Sequence, residues 1–195
     1  ISGVAWDCPL MPVRVMDSSN TIYTSYLIES LIYLGDYAMA HPEYRIAAAF
    51  SSGSREYSSA LKDAVDYALD NGVFIAASAG SGGRRQAVYP AAYSGVMGVV
   101  ASTPDGSPVD HSNSGPWISA AAPGDRILTT DLNDAYRYSG GSAIAAGYVC
   151  GTAALLLSND PSLSPLQLMN QLEQTAQGSA YSEELGYGVI DAAAA

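Results

Sequence analysis

A chain of 195 residues that is 48% hydrophobic and 14% charged is one domain's worth of polypeptide, with apolar content enough for a substantial core and unlike that of a disordered chain. Its 8 basic against 19 acidic side chains give a formal charge of -11, which disfavours nucleic acid and anionic lipid surfaces and points to neutral or basic partners. No run of about eighteen consecutive apolar residues is present, so no membrane span is expected.

The chain starts at Ile1 without an initiator Met or a charged-then-apolar leader, and it ends on a short alanine run that reads as the first turn of a helix. Both ends read as cuts through a longer polypeptide. Pro12-Val13-Arg14-Val15-Met16-Asp17 is a β-branched run with alternation that predicts a strand ending in the turn Ser18-Ser19-Asn20. From Thr24 or Ser25 to Ala40, Leu27, Leu31, Leu34 and Ala38 recur at helical spacing behind a hydroxyl cap, and Pro42 stops the helix. Strands are predicted over Arg45 to Phe50, Val73 to Ala77, Val96 to Ala101 and Trp117 to Ala121. Helices are predicted from Ser58 to the stop at Asn71-Gly72, from Ala143 to Ser158, and from Ser164 to Gln174. Such alternation implies βαβ units and a mainly parallel sheet covered on both faces, within a single unit free of repeats and linkers. Cys8 and Cys150 lie far apart in apolar contexts, which predicts two buried free thiols rather than a disulfide or half a metal site, and their number does not decide the compartment.

The chain is organised around the stretch from Tyr138 to Ser158, where the pair Gly140-Gly141 and the hydroxyl of Ser142 lead into an unbroken small-to-apolar run. This reads as a tight turn feeding a helix that is apolar all round and therefore buried, with N-terminal N–H groups that favour negative charge. The stretch resembles the serine-nucleophile segment of the subtilisin-like proteases (subtilases, peptidase family S8). Val149 to Leu157 fixes the register, and in that register the nucleophile's position holds Ala143.

The resemblance covers nearly the whole chain. Ser2-Gly3-Val4-Ala5 with Met11 to Asp17 is similar to the family's Gly-Val-Ala-Pro and the strand ending Val-Leu-Asp. Val73 to Ser81 resembles the strand and loop that end Ala-Gly-Asn, Tyr89-Pro90-Ala91 the Tyr-Pro-Ala turn with its cis peptide, and Ala122-Pro123-Gly124 the Ala-Pro-Gly. Ser158 to Pro161 resembles the helix exit, and Gly186-Tyr187-Gly188 the closing Gly-Tyr-Gly. The matches fall in family order, which is more specific than any one motif. They imply a three-layer α/β subtilisin-like fold with a mainly parallel sheet. Residues 1–195 would be the C-terminal portion of the peptidase domain, lacking the N-terminal portion that carries Asp and His.

The departures fall on the chemistry. A subtilase needs a Ser nucleophile, a His base, an Asp that orients it and an Asn oxyanion donor. The nucleophile's position is Ala143 and the Asn position is Ser81, and the Asp and His segments would lie upstream of Ile1. His41 and His111 match no family position and read as surface histidines. The resemblance further implies that Ala49, Phe50, Ser51, Ala79, Gly80 and Ser142 line the substrate cleft. The family's Met, Pro and His after the nucleophile are Ile144, Gly147 and Tyr148. Two readings of Ala143 stay open. Several erosions around one cleft favour a natural pseudoprotease acting as a binding or regulatory module. The alternative is a fragment of an active serine endopeptidase carrying an engineered Ser-to-Ala change, and a third reading keeps the domain only as a spacer.

No cofactor and no metal are expected, since Asp17, Asp105, Asp125, Asp131 and Asp134 lack calcium-loop spacing and read as turn residues. Expected partners are a peptide or protein segment in the former substrate cleft, and an upstream fragment of the same polypeptide, or another chain, that completes the sheet. Among the 14 tyrosines, Tyr23, Tyr26, Tyr33 and Tyr37 read as a half-buried helix stripe, and Arg84-Arg85 as a solvated loop.

Overall fold

The structure, a computed structural model, describes residues 3–195, so Ile1 and Ser2, the latter the first residue of the Ser2-Gly3-Val4-Ala5 match, lie outside the described residues. Four helices and six strands follow in the order α1 (Thr24–Ala40), β1 (Ala47–Phe50), α2 (Ser59–Asp70), β2 (Phe74–Ser78), β3 (Met97–Ser102), β4 (Ala120–Pro123), β5 (Ile127–Thr130), β6 (Tyr136–Ser139), α3 (Ser142–Asn159) and α4 (Pro165–Thr175). β1 to β4 form one parallel sheet in chain order, with Ala47 opposite Phe74, Ala76 opposite Met97 and Val99 opposite Ala120. The layers follow from the period-two alternation of strand side chains. Ile75 and Ala77 face α1 and α2, where Leu27, Leu31, Leu61 and Val65 close the core, while Phe74 and Ala76 face α3 and α4, where Val149, Ala153, Leu168 and Leu172 close it. The expected three-layer α/β architecture is therefore present.

Small residues set the spacing on the α3 side. Ala145, Ala146 and Ala153 of the helix and Ala76, Ala101, Ala120 and Ala122 of the sheet are all fully buried, so backbone approaches backbone closely and fixes where α3 begins. The Tyr89-Pro90 bond is cis, as expected.

Six expectations are corrected. The hydroxyl cap expected ahead of α1 is not what starts it: Tyr23 is the N-cap and makes no side-chain cap hydrogen bond. Pro12 to Asp17 forms no strand: its one β contact is an isolated antiparallel bridge between Met16 and Ile22, around a turn in which Asp17 Oδ1 accepts from Ser19 N (2.8 Å) and Thr21 N (2.9 Å). Alternation reports only that Val13 and Val15 face inward, as they do against the α1 and α2 core; a strand also needs a hydrogen-bonded neighbour, and β1 does not supply one. The strand expected at Trp117 to Ala121 starts instead at Ala120, because residues 115–118 turn first (Ile118 N to Gly115 O, 3.2 Å). α3 is not buried all round: its sheet-facing half is covered, whereas Gly147 and Leu155 are exposed, since a single sheet covers a single helix face. By length and composition α3 is long and apolar enough to cross a membrane, but half of it is packed inside this core. Cys8 is exposed, on a segment outside any helix or strand, while Cys150 is buried as expected. The tyrosine stripe is mostly exposed, with Tyr23 51%, Tyr26 37% and Tyr33 49% accessible, because α1 uses its leucine face for the core. The antiparallel β5–β6 hairpin was not expected; Leu128, Tyr136 and Tyr138 are exposed while Thr129 is half-buried, so its apolar residues do not mark the covered face.

Candidate functional site

The carboxyl ends of β1 and β2 and the first turn of α3 converge at one edge of the sheet. That is where open α/β sheets place their sites, because the chain leaves the strands there in loops free to vary. β2 ends at Ser78, and Ala79-Gly80-Ser81 turns away from it with Gly80 at φ +92°. Across from this loop Gly141, at φ +110°, caps α3 and is tied by its N–H to Gly124 O (2.7 Å). A Cβ at Gly141 would stand 3.1 Å from Ser81 Oγ, so the two loops nearly touch.

Three serines meet in the gap. The Ser142 hydroxyl is fully buried, 2.8 Å from Ser78 Oγ and 3.3 Å from Ser81 Oγ, and it accepts from Gly80 N at 3.1 Å. Ser142 N donates back to Ser81 Oγ at 3.4 Å. Next to it Ala143, half-buried, presents a methyl group. Of the residues assigned to the site by resemblance, the structure thus brings together Ala79, Gly80, Ser81, Ser142 and Ala143. Ala49, Phe50 and Ser51 lie at the end of β1, where Phe50 is level with Ala77. Ala49 is exposed, but the Phe50 side chain is buried in the α1 and α2 core on the opposite face. Beyond Ser51, Ser54 and Tyr89 exchange backbone hydrogen bonds (2.8 and 2.7 Å), and Tyr57 stands edge-on to the rings of Tyr89 and Tyr93.

The chemistry available here is narrow. Ser142 is buried and already bonded to two hydroxyls and an amide, which leaves it no exposed lone pair with which to attack a carbonyl. No carboxylate or imidazole among the described residues hydrogen-bonds to Ser78, Ser81 or Ser142. His41 stacks on Tyr37 with ring centroids 4.3 Å apart and contacts Glu43 at 3.3 Å, while His111 is exposed. The Cys150 thiol, deeper in α3, is pushed up to about 12 by burial, which keeps it from acting as a thiolate. Sequence reasoning missed two residues of this edge. These are Ser78, bonded to Ser142, and Asn113, whose side chain holds the 79–84 loop; each meets its partners only through the fold.

A sequence profile of the subtilase family, peptidase S8, matches residues 1–188. The chain belongs to the subtilase family. Its relatives include M-protease of Shouchella clausii strain KSM-K16, 31% identical over 195 residues that span all of this chain and 50% of the relative, and Subtilisin Savinase of Lederbergia lenta, 30% identical with 70% of the relative spanned. The chain spans about half the length of M-protease and of several other curated subtilases it matches. Among solved structures, fervidolysin from Fervidobacterium pennivorans, a keratinolytic enzyme related to subtilisin, superposes with a TM-score of 0.86 at 27% identity, over 100% of this chain and 33% of its own. The S41 psychrophilic protease superposes with a TM-score of 0.83 at 25% identity, over 91% of this chain and 66% of that one. The subtilase fold is thus common to chains that diverge at most positions.

Proposed function

We propose that this subtilase domain binds a peptide or protein segment along the carboxyl edge of its sheet without cleaving it. The observation that carries the reading is the first turn of α3. The resemblance puts the nucleophile at Ala143, and the hydroxyls beside it are bonded to one another rather than to a base. Acyl transfer needs a nucleophile activated by a general base and a donor aimed at the developing oxyanion; Ala143 supplies no nucleophile, and Ser81 has a shorter reach than Asn. An upstream segment of the same polypeptide, or another chain, would pair with the open edge of β1 and cover the exposed side of α3 around Gly147 and Leu155. The second reading, a living serine endopeptidase altered at Ala143, is supported by the relatives, which carry names such as M-protease.

The two readings separate on the natural-length polypeptide, assayed as it stands, as Ala143→Ser, and as Ala143→Ser with Ser81→Asn. Hydrolysis of an internally quenched peptide and binding of a fluorescein-labelled peptide are followed in parallel. The binding reading expects a measurable Kd with no turnover in the unaltered protein. It also expects little turnover from Ala143→Ser alone, since loss of one oxyanion donor costs about 2.7–4 kcal/mol and catalytic groups act as a unit. Robust hydrolysis by Ala143→Ser with Ser81 untouched would replace it with the protease reading.

A further inference from the structure

Asn113 is only 5% exposed and comes from the turn between β3 and β4, yet its side chain is given over to the loop that follows β2. Its Oδ1 accepts from Gly82 N (3.1 Å) and Arg84 N (2.9 Å), and its Nδ2 donates to Ala79 O (2.8 Å). Three backbone bonds run alongside: Asn113 N to Gly80 O (3.0 Å), Gly83 N to His111 O (2.9 Å) and Ser114 N to Arg84 O (3.0 Å). The carboxamide occupies the inside of the loop, where a Cβ at Gly80 would stand 2.6 Å from Nδ2. On its other side the same loop presents the Gly80 amide and the Ser81 hydroxyl to Ser142. Three inward-facing backbone groups are therefore held by one side chain that makes no hydrogen bond to α3, and the left-handed Gly80 is held by the backbone N–H of the same residue.

We propose that Asn113 is a positioning residue for the cleft: by clamping residues 79–84 from within, it sets the Gly80 amide and the Ser81 hydroxyl against Ser142 at the start of α3. That this edge is a peptide cleft rests on the function proposed above; the clamp itself needs no peptide. The test is amide hydrogen exchange, resolved by residue, on the natural-length protein and its Asn113→Leu and Asn113→Asp variants. Asn113→Leu removes all three side-chain bonds, so exchange at Gly80, Gly82, Arg84 and Ser142 should quicken at least about tenfold while Ile75 in β2 and Leu172 in α4 keep their rates, as expected for local rather than global opening. Asn113→Asp keeps both acceptor bonds and loses the donor to Ala79 O. It should leave Gly82 and Arg84 protected and release Gly80. A residue that merely supports the fold would quicken exchange at all of these amides together. That uniform pattern, or unchanged exchange at Gly80 and Ser142 in both variants, would overturn the proposal. Should Asn113→Leu fail to fold, Asn113→Asp decides alone, and global unfolding of that variant also would overturn it. A cleft that takes no peptide would sink the binding function and leave this result to stand on the amides.

Discussion

Cys150 and Cys8 show how a residue's chemistry is set by its place. Both are free thiols, but Cys150 is packed between α3 and the sheet, where burial disfavours the thiolate and lifts its pKa to about 12, whereas Cys8 is exposed. A thiol-reactive disulfide reagent at mildly alkaline pH should therefore titrate one cysteine in the folded protein within minutes and the second only after denaturant is added. Peptide mapping should put the first label on Cys8; fast labelling of Cys150 would mean that α3 is not seated as described. The same dependence on place governs Ser142. Serine in a first helical turn is chemically ordinary, and here full burial and hydrogen bonds to Ser78, Ser81 and the Gly80 amide make it a strut between two loops rather than a nucleophile.

Among the elements, α4 is the one whose sequence states its start most fully, with a complete capping box. Ser164 accepts from Gln167 N (3.3 Å), the Gln167 side chain accepts from Ser164 N (2.9 Å), and Pro165 occupies the first turn, where its missing N–H is no loss. Leu168 and Leu172 then bury on the sheet. Ser164→Ala should lower unfolding stability by about 1 kcal/mol, and Ser164→Gly by only a few tenths. Urea denaturation with an unchanged m-value is the check, and an Ala variant as stable as the parent would show that the cap is redundant with packing. The Pro12 to Asp17 segment and the β5–β6 hairpin are the opposite case. The first has a strand's pattern without a strand's partner, and the second has a partner without an apolar pattern that follows its covered face, so pattern alone misassigned the one and overlooked the other.

Over the whole molecule, the formal charge of -11 makes the behaviour of the carboxylates in acid the main electrostatic term. The Gln177 side chain and the amides of Ala193 and Ala194 hold Asp191 below the usual aspartate range, and Ser162 does the same for Asp160. A carboxylate depressed in the folded state adds stability that is present above its unfolded pKa and lost as pH falls through the folded one. The melting temperature should therefore drop between about pH 4 and about pH 2, and Asp160→Asn with Asp191→Asn should flatten that limb. Because both groups are exposed, the effect is small and weakens in salt; an unchanged acid limb in the double variant would count against it. The sequence by itself determined the α/β class, all four helices to within a residue or two, three strands of the parallel sheet and the family, because helical spacing, turn residues and short buried apolar runs are written in neighbouring residues. The family resemblance put Ala143 in the first turn of α3 and Ser81 on the loop after β2, and the structure sets that loop against the turn through Ser142 N and Ser81 Oγ. Only the tertiary structure decided which face of α3 is covered, that Ser142 is saturated by residues 61 to 64 positions away, and that Asn113 holds the Ser81 loop from 29 to 34 positions away. Each of those is a contact between segments distant in the chain, and no local propensity encodes which distant segment will arrive.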